Sequence, residues 1–202
     1  MPTSSSPKPP ASAYHHGDLR EALLSAGYDE INEHGVETLS LRAVARRVGV
    51  SAMAPYRHYA DKTALLAAIS ERGFAELRAC LSEADHGLAG AAALQAQGRA
   101  YIDFATARPG LFRLMFSAYQ PDPSREPAPM DDDAWIANTT DDNAFGVLRA
   151  RVATVVAPDQ VQATAIGLWG LVHGLAMLVL DRCLISVDID AVLAATLRIG
   201  EA

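Results

Sequence analysis

Between Ser40 and Lys62 the chain carries five basic side chains, Arg42, Arg46, Arg47, Arg57 and Lys62, against one acid, Asp61. Ser51, Tyr56 and His58 stand among them. Guanidinium, ammonium, hydroxyl and imidazole groups packed this closely suit a phosphate backbone, with base edges within reach. The whole chain has a net charge of −7, which at first argues against such a partner. The distribution matters more than the sum. Residues 1–75 hold eight basic and eight acidic residues, so the whole deficit falls on residues 76–202, and the block from Ser40 to Lys62 is +4.

Local rules place two short helices around this block. Ser40 is an N-cap candidate, and Leu41, Val44 and Val48 line one face of the helix it would open. Gly49 suits the position just past its end, and Arg42, Arg46 and Arg47 fall away from the apolar stripe. A turn at Gly49-Val50-Ser51 leads into a second helix, and Asp61 caps a long third one. Two helices joined by a short glycine-containing turn form a helix-turn-helix. The second helix of that motif fits a major groove, with short side chains such as Ser51 and Ala52 allowing close approach. Tyr56, Arg57 and His58 can reach phosphates or bases, and Lys62 is placed for the backbone. A plain solvated helical hairpin with surface arginines remains the alternative. Pro55 disturbs the pattern: it removes a hydrogen bond to Ser51 and biases Ala54 away from the α region. The expected result is an irregular first turn, or a start near Pro55 and a very short helix.

The rest of the chain reads as helical. Half its residues are hydrophobic and only 6% aromatic, with Ala and Leu dominant, which favours an all-α fold over a β-sandwich. Helices are expected over Asp18–His34, ending at Gly35, and over His86–Ala107, ending at Pro109-Gly110. A short apolar helix follows at Leu111–Phe116, and residues 119–130, with four prolines, form a loop. Asp131–Asp133 open another helix, Pro158 and Asp159 start the next, and Asp188 and Asp190 start the last. The total is about nine helices. Three regions result: a disordered arm at 1–13, a helix-turn-helix unit at 14–62 whose connecting helix runs to about residue 75, and a larger helical domain at 76–202.

Val161–Leu180 has no formal charge over 20 residues and is long enough to span a bilayer. It is a single such segment, contains Gln162 and His173, and is followed at once by Asp181-Arg182, so a core or subunit interface is expected instead of a membrane. Gly167, Gly170 and Gly174 would let backbones approach, and pairing with the last helix would give a homodimeric four-helix bundle. Packing inside a monomer is the alternative. Tyr101, Phe104, Phe112, Met115, Phe116, Trp135, Phe145, Trp169, His173 and Met177 are candidates to line an apolar ligand pocket, although plain core packing is the commoner fate of each.

Other chemistries find little footing. The chain lacks the nucleophile elbow, the zinc-protease helix, the phosphate loop and the dinucleotide fingerprint, so no enzyme is expected. Adjacent His15 and His16 do not have the spacing of metal ligands, and no cofactor is expected. Cys80 and Cys183 form no disulfide framework and the N-terminus shows no signal peptide, both consistent with a reducing cytoplasm. Cys183 could sense oxidation, but a lone buried thiol, usually inert, is the expected reading. The rival to DNA binding is a helical protein-interaction module without it.

The stretch "LSLRAVARRVGVSAMAPYRHYADKTALL", Leu39–Leu66, resembles the DNA-binding domain of tetracycline-repressor (TetR) type regulators. The resemblance begins at "YHHGDLREALLSAGYDEINEHG" and runs from Tyr14 to about Phe74, with Gly49–Ser51, Tyr56, Tyr59 and Lys62 its most specific parts. "AYIDFATARPGLFRLMF" (Ala100–Phe116) and "WGLVHGLAMLVLDR" (Trp169–Arg182) resemble the regulatory domain named for its Trp, His and Gly. The resemblance implies that Ser40, Arg42, Tyr56, His58 and Lys62 hold the DNA backbone, that Ser51, Ala52 and Met53 begin the recognition helix, and that Arg57 can read bases. Met53 and Pro55 depart from the commoner glycine and leucine. It further implies a dimer on a palindromic operator, released by a small-molecule effector that shifts the long helix after Asp61.

Overall fold

The structure, a computed structural model, describes residues 16–117 and 143–197, with side chains from residue 19 onward. Within these residues lie eight α-helices and no strand. The expected arm at 1–13, the proline-rich loop, the helix start at Asp131–Asp133 and Trp135 fall outside the described residues.

Short-range signals set most of the boundaries. Helix α1 spans His16–His34 and stops at Gly35, whose φ of 84° favours glycine. Helix α2 spans Leu41–Val48: Ser40 Oγ accepts from the Ala43 N–H at 3.1 Å, and Gly49 closes the helix at φ 79°, with its N–H turned back to the carbonyls of Ala45 and Arg46. Helix α3, Lys62–Ala84, begins where Asp61 Oδ1 accepts from the Ala64 N–H at 2.8 Å. Then follow α4 (Gly90–Ala107), α5 (Pro109–Ser117), α6 (Ala144–Val152), α7 (Val161–Leu180) and α8 (Ile189–Thr196). Asp188 caps α8 through the Ala191 N–H.

Three boundaries differ from the sequence reading. Gly87 and Gly90 both take positive φ, so α4 starts at Gly90 instead of His86. The preceding helix does end at Ala107, but α5 opens at Pro109 instead of Leu111, because a helix's first position needs no N–H donor. Pro158 and Asp159 lie in a turn, closed by the Gln160 N–H on the Ala157 carbonyl at 2.9 Å, and α7 starts only at Val161.

One continuous core joins all eight helices. In the first half, α1 and α2 and the start of α3 bury Leu23, Ile31, Leu41, Val44, Tyr59, Leu65 and Ile69. Helix α3 then continues without a break into the second half, about 35 Å in all for its 23 residues. There it packs on α4, α5 and α6, while α4 also carries α7 and α8. Two joints fix the halves to each other. At Gly110 the backbone of α5 comes so close to α1 that a Cβ would lie 2.6 Å from the Ile31 carbonyl oxygen. Around Glu76, the Tyr28 hydroxyl donates at 2.8 Å, Arg72 bonds at 3.2 Å and Arg108 lies at 3.8 Å. Burial, and then the Glu76 carboxylate, push the Tyr28 phenol up to about 12.

Helix α7 is less enclosed than its composition implies. Its length and mean hydropathy of 1.8 would allow it to cross a membrane. Within the chain only Ala165, Leu168, Val172 and Ala176 are buried, a stripe at helical spacing that faces α4 and α6. Ile166 and Leu178 stand exposed, and a Cβ at Gly167, Gly170 or Gly174 would meet nothing within 4 Å. The Cys183 thiol is exposed, not buried, because it follows the end of α7 in a turn.

Candidate nucleic-acid interface and ligand cavity

The basic block unfolds from α2 to the first residue of α3. The buried face of α2 is Leu41, Val44 and Ala45, so Arg42 and Arg46, one turn apart, lie on its exposed face. Arg47, also exposed, is drawn to α1: it bonds Glu33 at 2.8 Å and Glu30 at 3.4 Å. Among the described residues Arg42, Arg46 and Arg57 have no ion pair or hydrogen bond to an acid. Their charge is therefore uncancelled at short range. Ser40 spends one lone pair on its cap and keeps a hydroxyl proton to donate.

The segment after Gly49 is not an α-helix. Ala52 and Met53 form a turn, and Pro55–Arg57 are a single 3₁₀ turn with Pro55 at its start. The bonds run three residues back: Ala54 N–H to Ser51 O at 2.9 Å, Arg57 N–H to Ala54 O at 3.2 Å, and His58 N–H to Pro55 O at 2.9 Å. None of these needs the N–H that proline lacks. This accounts for the helix expected in the sequence and missing from the eight. Ala54 nonetheless keeps α geometry, φ −62° and ψ −42°, so the local bias against it is overridden.

Pro55 is buried and pins the segment, as does Tyr59, whose hydroxyl donates to the Arg20 carbonyl at 3.3 Å beneath the Arg20 guanidinium. What faces outward is Ser51, Ala52, Met53, Tyr56 and Arg57, with His58 half-buried. Met53 is 69% exposed and Tyr56 44%. A methionine there suits apolar contact with thymine methyls, and the tyrosine hydroxyl suits a phosphate. Lys62 departs from expectation in part: its ammonium already donates to the Val36 carbonyl at 3.0 Å and is half-buried. It keeps two protons, but its position is set by the protein.

The second candidate site is closed. Tyr101, Phe112, Phe116, Phe145, Trp169 and His173 pack on one another, with Tyr101 edge-on to Phe112 at 5.6 Å and to Trp169 at 5.0 Å. The Tyr101 hydroxyl and His173 Nδ1 share a hydrogen bond of 3.0 Å. Burial pushes the Tyr101 phenol far up and the His173 imidazole down, so both stay neutral near neutral pH. Of the expected pocket residues that are described, Tyr101 and Trp169 line a small cavity. Phe112, Phe116, Phe145 and His173 fill the cluster, Phe104 is buried beneath the Arg108 guanidinium, Met115 is buried against Gly73 and Met177 packs on the core. Edge-to-face pairing makes that filling favourable, which is why aromatic content gave no empty space.

The cavity is about 20 Å³, room for roughly one water. Its other walls are Leu81, Leu94, Leu148, Leu168 and Leu197, with Gln97 as the polar one. Gln97 is 3% exposed and donates from Nε2 to Asp85 Oδ2 at 2.8 Å. Asp85 in turn accepts from Arg151 at 2.8 Å. Neither Gln97 nor this network was a sequence candidate. Its only trace is a glutamine in an Ala/Leu-rich helix, one turn before Tyr101. Among the described residues no three His, Cys, Asp or Glu side chains gather as a metal site.

Comparison with known proteins agrees with both halves. The family model for bacterial regulatory proteins of the tetR family matches residues 23–69, and that for the tetracyclin repressor-like C-terminal domain matches residues 94–199. A Rhodococcus sp. RHA1 protein of unknown function is 31% identical, with a TM-score of 0.73 over 93% of this chain and 95% of its own. A tetR-family regulatory protein from Rhodococcus RHA1 (20% identity, TM-score 0.58, 88% and 92% covered) shares the fold. So does a tetR-family transcriptional regulator from Streptomyces coelicolor (16% identity, TM-score 0.67, 91% and 78% covered). No curated protein matches the sequence.

Proposed function

This chain belongs to the TetR family of DNA-binding transcriptional regulators, and from that premise we propose that it is a cytoplasmic, non-enzymatic, effector-released repressor that binds a palindromic operator as a homodimer. The observation that carries this reading is the continuity of α3. Its N-cap and first residue, Asp61 and Lys62, adjoin the exposed basic segment. Its Leu81 borders the cavity, and its C-cap residue Asp85 is bonded to Gln97. One rigid rod thus touches both the DNA-facing segment and the wall of the ligand cavity.

A ligand that enlarges the cavity moves the far end of α3, and the near end carries the reading segment with it. In a dimer this changes the separation of two reading segments, and operator affinity falls. By linkage the operator weakens the effector to the same degree, a coupling of roughly 1–3 kcal/mol. The uncharged outer ridge of α7, with Ile166, Gly170 and Leu178 exposed, supports the dimer, since it is an apolar surface that a second copy would cover. Ser40, Arg42, Tyr56, His58 and Lys62 are assigned to phosphates, Ser51, Ala52 and Met53 to close approach, and Arg57 to a base.

Selection of bound duplexes from a random pool tests the reading. The expected product is a two-fold symmetric site. On it Arg57→Ala costs roughly 1–3 kcal/mol, and much less on unrelated sequence. Leu178→Glu should yield monomers by sedimentation and weaken operator binding. An asymmetric selected site bound by a monomer would overturn the dimeric repressor.

A further inference from the structure

We propose that the cavity beside Gln97 is an effector subsite that selects a small, uncharged, largely apolar molecule carrying one hydrogen-bond donor, which Gln97 Oε1 accepts. The inference rests on the effector-released reading above and names the ligand class for it.

The orientation of the Gln97 amide is fixed by chemistry. Asp85 is a carboxylate held by Arg151, so it can only accept, and the amide must turn its NH₂ toward it. That leaves Oε1 on the other side of the amide, buried and without a hydrogen-bond partner. A buried acceptor left so is costly, and most are paired. Two other wall residues carry polar groups: the Tyr101 hydroxyl is engaged by His173, and the Trp169 indole N–H can only donate, so neither competes with Gln97 Oε1 as an acceptor for a ligand donor. The remaining wall is leucine, valine and glycine. No formal charge borders the cavity, so a charged ligand would lose its hydration without compensation. An apolar body with one hydroxyl or N–H matches what is present.

The same network touches a second space: Asp85 and Arg151, with Arg78, Ser82, Val147 and Thr154, line an open groove of about 410 Å³ between α3 and α6, and Asp85 bonds Gln97 on the cavity wall. The cavity holds only about one water as it stands, so a ligand enters by displacing its side-chain walls.

Phenol and toluene, of similar size and differing in one donor, are the probes, titrated calorimetrically into the full-length protein. Phenol should bind about tenfold more tightly than toluene, as one added hydrogen bond implies. Anisole, in which the donor is methylated, should behave like toluene. Gln97→Met should equalise phenol and toluene, and Leu148→Phe, which fills the cavity, should abolish binding of both. Equal binding of phenol and anisole to the wild type, or no binding of either up to the solubility limit, overturns the subsite even if Gln97→Met fails to fold. A phenol preference that survives Gln97→Met overturns it as well. Operator affinity is read separately. Gln97-dependent phenol binding that leaves operator affinity unchanged upholds the subsite and removes the release mechanism. Operator release by another small molecule, with phenol and toluene tied, does the reverse.

Discussion

Replacing Gly110 with alanine puts a methyl group against a backbone, and the structure fixes how badly it fits. The new Cβ would lie 2.6 Å from the Ile31 carbonyl oxygen, about 0.9 Å inside the ~3.5 Å at which carbon contacts become favourable. That oxygen lies in the last turn of α1 and accepts from the Gly35 N–H at 2.9 Å, so turning away would break the helix end, and α5 must lift from α1 instead. Overpacking of this kind costs about 1–3 kcal/mol, and Gly110 is only the second residue of α5, where the helix-interior preference for alanine returns little. A loss of about 1–3 kcal/mol lowers the Tm of a chain this long by roughly 2–12 °C. Gly73→Ala is the control, because its Cβ would meet the Met115 Sδ at 2.7 Å, nearly the same overlap against a flexible side chain. Its loss should be clearly smaller. Thermal unfolding followed by far-UV circular dichroism measures both. An unchanged Tm for Gly110→Ala, or a larger drop for Gly73→Ala, refutes the argument that backbone obstacles dominate this joint.

Removing the Asp61 cap by Asp61→Ala should cost about 1 kcal/mol in chemical denaturation. Arg46→Ala should leave stability within about 0.5 kcal/mol but reduce the salt slope of operator binding by about 1, the value of one phosphate no longer neutralised. Arg47→Ala should leave that slope unchanged, since Glu30 and Glu33 already occupy its guanidinium. Burial holds the His173 imidazole below its ordinary value, so near pH 6 the unfolded chain binds a proton there that the folded chain refuses. The stability due to this group is therefore complete above about pH 6.5 and declines as pH falls through the folded value. Denaturation midpoints measured across that range should fall more steeply for the wild type than for His173→Gln.

What the sequence revealed follows the range of the forces involved. Ser40, Gly49, Asp61 and Asp188 act over three or four residues, and each does what its local pattern implied. Pro109 and Pro158 obey the same rules but allow two outcomes, and neighbours decided between them. The exposed Arg42 and Arg57 were legible because α2 has a clear apolar stripe and Pro55 a clear effect. Lys62 was harder: its bond to Val36 depends on how α1 and α3 meet across 26 residues. The cavity was not legible at all. Aromatic content indicated where mass would gather, whereas the space depends on which of those rings pair. The orientation of Gln97 depends on Asp85, at the end of α3, which is held in turn by Arg151 from α6.

If the segment around Pro55–Arg57 faces DNA as proposed, its 3₁₀ turn also limits how much of an operator it reads. The turn itself spans roughly 6 Å, three residues at about 2.0 Å of rise, and the exposed Ser51–Met53 precede it in a separate turn, so the segment is not one straight rod. A conventional recognition helix lies along the groove and samples more letters. Under the proposed dimeric reading, a broken segment of this kind collects less information per half-site than a continuous helix would, while a genome offers about 10⁶ or more competing addresses. The shortfall has to be met elsewhere: by reading the same few letters twice, or by sensing how readily the intervening duplex bends and narrows. Operators for such a protein should therefore look brief in their contacted letters and strict in their spacing, with vocabulary traded for grammar.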